Sequence, residues 1–138
     1  MGSNSFMNSE EFKKGFYDIL KRALFCSEIT RREGLLSLED VMDHEKAENR
    51  DIFEYGLRFI IDGSDGSFVD KILLNIINQE KDETRFLLKT IQKEAVIKIA
   101  EYNNPRVIAW WLNSYTNIPL NDPEFKKIID DSDIGVLM

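Results

Sequence analysis

The single histidine, His44, lies among carboxylates: Asp43, Glu45 and Glu48 surround it, and His44 and Glu48 would share one face of a helix. Imidazole and carboxylates at that spacing are the raw material of a metal site. A specific transition-metal site draws several His or Cys ligands. With one histidine and no nearby thiol, the stretch reads as a solvated polar helix end. Asp62 to Asp70 has the acid and glycine content of a calcium loop. However, Ser67 falls where the turn glycine is required and Leu73 where the bidentate Glu is required, so a turn followed by a helix cap is the better reading. Cys26 sits between Phe25 and Ser27 on an apolar helical stretch, about five helical turns from His44, which marks it as a packing thiol rather than a nucleophile. No Gly-rich phosphate loop is present. Asp and Glu number 25 against 18 Lys and Arg, and in so acidic a chain abundance alone selects no catalytic pair. The residues therefore predict no enzyme, no metal and no cofactor.

Two other groups of residues suit protein binding. Arg31, Arg32 and Glu33 precede Gly34, and Glu39 and Asp40 follow Leu35-Leu36-Ser37-Leu38. On a continuous helix Arg32 and Glu39, seven apart, would share a face, with Arg31 and Glu39 about 80° from eclipsed. A solvated helix surface is the ordinary meaning of such a pattern; a dipolar docking face is the functional one. The second group is Trp110, Trp111 and Tyr115. Tryptophan and tyrosine dominate interface hot spots, while core packing is the commoner use of such a cluster. Adjacent tryptophans point about 100° apart on a helix, so at least one is expected near the periphery.

The elements that would carry these groups are helical. Phe12, Phe16, Ile19, Leu20, Ala23 and Leu24 recur at steps of three and four, after an Asn8 or Ser9 cap and the acidic pair Glu10-Glu11. The pattern resumes at Leu35, Leu38, Val41 and Met42, which predicts one long helix with a weak point at Gly34, or else two helices. His44–Asn49 reads as a connection. A second helix is predicted over 50–62, stopped by a left-handed Gly63. Ser67 would open a third, with Asp70 as a weak capping-box partner, burying Phe68, Ile72, Leu73, Ile76 and Ile77. Whether it runs on through the polar stretch 79–84 stays open. Leu88, Ile91, Ala95, Ile99 and Tyr102 form a further stripe that ends before Pro105. Pro105 then starts a short helix through Tyr115, and Asp122-Pro123 starts a last one over Phe125 to Ile129. Sustained period-two alternation is absent. The expectation is an all-α chain of five or six helices in one domain, with residues 1–6 set aside as vector-derived or disordered.

Taken in order, two blocks of this chain resemble the cytoplasmic segment of the flagellar motor stator A subunit, the MotA family. Arg31-Arg32-Glu33-Gly34-Leu35-Leu36-Ser37-Leu38-Glu39 resembles its R-x-x-G-x-x-x-L-E pattern. Phe53-x-x-Gly56-Leu57-Arg58-Phe59-Ile60-Ile61-Asp62-Gly63 is similar to its F-x-x-G-L-x-x-x-x-D-G helix and turn. Phe68 to Ile77 is similar to the helix that follows, so the resemblance spans about residues 20 to 80. It implies a long N-terminal helix in a stator-like helical hairpin arrangement (7–80), with a C-terminal helical half (81–138) that has no family counterpart. It also implies that Arg31 and Glu39 engage oppositely charged residues of the rotor switch protein.

The departure is the membrane. The longest apolar runs, such as Val107 to Leu112, fall far short of the roughly 20 residues of a spanning helix. Lys93, Glu94, Lys98, Glu101 and Arg106 occupy the region where the family's third span would begin. The expectation is therefore a cytoplasmic, stator-like motility protein. It would bind a rotor or stator component through Arg31, Arg32, Glu39 and Asp40 without conducting ions. Peripheral association with a membrane complex fits this expectation, and nucleic acid does not, since the net charge is −7. The competing expectation is a helical adaptor unrelated to torque that binds through Trp110, Trp111 and Tyr115.

Overall fold

The computed structural model describes residues 2–42 and 51–137. Among the described residues all regular structure is helical. The α-helices are α1 (Glu10–Glu33), α2 (Ile52–Ile61), α3 (Gly66–Ile77), α4 (Glu83–Ala100), α5 (Pro105–Asn113) and α6 (Pro123–Leu137), with 3-10 segments at Gly2–Asn8 and Leu35–Val41.

α1 forms where the apolar spacing predicts it. Ser9 caps it by accepting from the Phe12 N–H at 3.0 Å, and all six predicted stripe residues are buried. The helix ends at Glu33 and does not continue to Met42. Gly34 takes φ 91°, a left-handed value that an L side chain resists. The chain then turns into the 3-10 segment Leu35–Val41, anchored by the fully buried Leu38. The continuous face shared by Arg32 and Glu39 is therefore absent. Two arginines in the last turn followed by a glycine are in fact a helix-stop signature, because cations suit the negative helix end and glycine suits the cap.

Local signals set several other ends. Ser64 donates from its N–H to the Phe59 carbonyl and Gly63 to that of Ile60, both at 3.0 Å; with Gly63 at φ 100° this is a Schellman stop for α2. α3 starts earlier than expected. Its cap is Asp65, which accepts from the Phe68 N–H at 2.9 Å, and Ser67 lies inside the helix. Phe68 is exposed rather than buried. Residues 78–82 separate α3 from α4, and Asp82 caps α4 by accepting from the Arg85 N–H at 2.9 Å. Asn104 and Asp122 cap α5 and α6, each followed by a proline at the first helical position.

One hydrophobic core joins all six α-helices. α1 and α4 run side by side in the same direction: Gly15 abuts Leu88, and Ser27 donates to the Asn103 carbonyl at 3.3 Å. Gly56 lets α2 lie on α4, since a methyl group there would sit 2.9 Å from Val96. The terminal segment also contributes. Phe6 rests edge-on against Phe12, centroids 5.8 Å apart. No helix among the described residues is long and apolar enough to cross a membrane.

Candidate docking surfaces

The end of α1 and the 3-10 segment form a charged corner. Arg31, Arg32 and Asp40 are exposed there. Arg32 bridges back to Glu28 on its own helix, 3.4 Å away. Glu39 is half-buried and faces α2. Arg58 donates from Nη1 to both of its carboxylate oxygens, at 2.9 and 2.8 Å, and this bond keeps the guanidinium more firmly charged than usual. The sequence places Arg58 in one motif block and Glu39 in the other. The fold joins them, a pairing with no local signal in the chain.

Beneath the corner, Arg22 secures the start of α2. It donates to Asp51 at 2.7 Å and lies over the Phe53 ring, 4.5 Å from its centroid. Asp51 also caps α2 through the Glu54 N–H at 3.0 Å. Burial alone would raise the Asp51 pKa, but these donors outweigh it and hold the carboxyl below the ordinary carboxylate value. Cys26 is buried close by. Burial raises its thiol to about 11, offset only in part by Arg22, so it stays a protonated packing group.

The second surface is α5. Ile108, Ala109 and Leu112 face the core, and the remaining apolar residues fall on the opposite side. Trp110 is 52% exposed, Val107 43% and Trp111 41%, so core packing is not the role of these tryptophans. Trp111 is nevertheless fixed. Its Nε1–H donates to Glu94 Oε1 at 2.8 Å, the Lys98 ammonium lies 4.3 Å from its ring centroid, and Tyr115 meets it edge-on at 6.2 Å. Glu94 belongs to a further pairing. Lys93, almost fully buried, reaches Asp70 at 2.7 Å and Glu94 at 3.1 Å. Burial opposes the charge on Lys93, yet the two carboxylates keep its pKa above the ordinary lysine value. Burial and the Glu94 charge likewise raise Tyr115. Three helices are thus joined under one indole. The sequence reading identified the aromatic residues and missed Asp70, Lys93, Glu94 and Lys98, whose pairing depends on helix packing.

The Asp43, His44, Glu45 and Glu48 group lies outside the described residues. Among the described residues no three His, Cys, Asp or Glu side chains are grouped to hold a metal ion. The chain matches no protein-family model, no curated protein and no solved structure.

Proposed function

We propose that this chain is a stator-like docking module of the motility apparatus, binding a flagellar motor component at the cytoplasmic face through the charged corner. The role is binding, without ion conduction or catalysis. The observation that carries it is the Arg58–Glu39 pair, which unites the two blocks whose order and spacing resemble the stator A subunit. Within this reading Glu39 is a framework residue that sets the corner. The exposed Arg31 and Arg32 are the residues offered to an acidic patch on the partner. Immobilised C-terminal domain of the rotor switch protein should retain the intact chain. Arg31→Glu combined with Arg32→Glu should abolish retention while the helical circular-dichroism spectrum is unchanged. No retention of the intact chain, or equal retention of the double variant, sinks the motor reading.

The exposure of Trp110, Val107 and Trp111 supports a second reading, a helical adaptor unconnected with torque. There, Trp110→Ala removes partner binding and reversal of the two arginines leaves it intact.

A further inference from the structure

Alongside the charged corner, α1 and α6 enclose a groove of about 460 Å³. Leu24 and Ile128 are buried at its floor, and Phe25 stands in it 59% exposed. A large aromatic ring this exposed on an otherwise well-packed helix is an interaction feature when it lines a concavity. The walls differ in charge. On the α1 side Lys21 and Arg32 lie eleven positions apart, about 16 Å or three turns along the axis. Arg32 gives its Nε to the mostly buried Glu28, and its side chain is still 59% exposed. The α6 side presents Asp131, whose 3.5 Å bridge to Lys127 joins two well-exposed groups and holds it weakly.

We propose that this groove receives one amphipathic helix of a protein partner. The helix sets its apolar face on Leu24, Phe25 and Ile128. Acidic side chains three turns apart on one flank meet Lys21 and Arg32, and a basic side chain on the other flank meets Asp131. Apolar floor, two cations at helical spacing and an anion opposite are the complement of such a helix. The inference rests on the docking reading above and supplies the chemistry of the partner for that end of the molecule.

The probe is a fluorescein-labelled 18-residue helical peptide with a leucine face, glutamates eleven residues apart on one flank and lysines on the other. Its control exchanges the glutamates and lysines. In fluorescence anisotropy with the full chain, the first peptide should bind at least tenfold more tightly than the exchanged one. Lys21→Glu with Arg32→Glu should reverse that preference. Phe25→Ala, at an exposed site that folding tolerates, should weaken both peptides at least tenfold. Equal binding of the two peptides, no binding below millimolar concentration, or indifference to Phe25→Ala overturns the proposal. A dimer in sedimentation that Phe25→Ala dissociates also overturns it, by making a second copy the occupant. If the switch-protein domain is not retained but the peptides behave as stated, the motor reading falls and the groove stands. Retention of that domain with failed peptides gives the reverse.

Discussion

The charged corner and the outward face of α5 treat their most conspicuous residues in opposite ways. At the corner, a carboxylate that looked available for a partner is consumed by the fold, since Glu39 is held by Arg58. On α5, residues whose commonest use is core packing are left at the surface, with Trp110 and Trp111 both more than 40% exposed. Charge pattern says where a polar side chain starts, but long-range packing decides whether it is spent. Apolar content says how much can be buried, but a nine-residue helix has only one inner face. Once Ile108, Ala109 and Leu112 fill it, the tryptophans must lie elsewhere. An aromatic excess on a short helix therefore predicts exposed rings here, whereas a dipolar charge run does not tell which of its charges the fold keeps for itself.

That contrast can be broken most sharply in the core of the corner. Leu38→Ala should cost about 2–5 kcal/mol in urea unfolding, as a fully buried leucine does, whereas Trp110→Ala should stay within about 0.5 kcal/mol. Comparable losses at both sites would erase the distinction. Next in size is Lys93→Ala, which leaves Asp70 and Glu94 without their shared cation. A loss of about 2 kcal/mol is expected, together with a red-shifted tryptophan emission as Trp111 loses its anchor. An unshifted spectrum would mean that Trp111 is held without the Glu94 pairing.

Asp51 separates cap from charge. Asp51→Ala should cost about 1–2 kcal/mol through the lost cap. Asp51→Asn keeps the cap and loses only the partly exposed pair with Arg22, worth about 0.2–1 kcal/mol. The smallest effect is on pH. Burial would raise Asp122 as it would Asp51, but the Tyr17 hydroxyl and the first N–H groups of α6 lower it overall. With both folded-state values depressed, their stabilisation is complete above the ordinary carboxylate pKa near 4 and is lost as pH falls through the lowered values. Melting temperature should fall on acidification below about pH 4, and less steeply in an Asp51→Asn, Asp122→Asn variant.

Much of the helical outline was legible because its signals are local. Gly63 stops α2, and Asn104-Pro105 and Asp122-Pro123 start α5 and α6, each through bonds made within a few residues. The start of α3 was misplaced because two aspartates and two serines compete within that turn, and Asp65 wins by reaching the Phe68 N–H. The end of α1 was left between one long helix and two because an apolar period continues past the Arg-Arg-Glu-Gly stop that ends it. Of the two surfaces, the run of charges and the aromatic cluster were legible and the pairings of their side chains were not. Arg58 to Glu39 and Lys93 to Asp70 span 19 and 23 positions, a distance over which no periodicity carries information. Phe25 escaped notice because a single aromatic between buried neighbours looks like one more core residue.

The bond between Tyr17 and Asp122 makes the last helix answerable to the first. The Tyr17 hydroxyl donates to Asp122 Oδ2 at 2.7 Å, and the same oxygen accepts the Phe125 N–H at 3.0 Å. One atom thus serves as the nucleating cap of α6 and as a tether to the middle of α1, across 105 positions of chain. Fraying at the start of α6 breaks a contact with the most deeply packed helix, so its first turn should exchange amide protons with α1 rather than as an independent tail. Tyr17→Phe would uncouple the two, with faster exchange confined to the amides around Phe125.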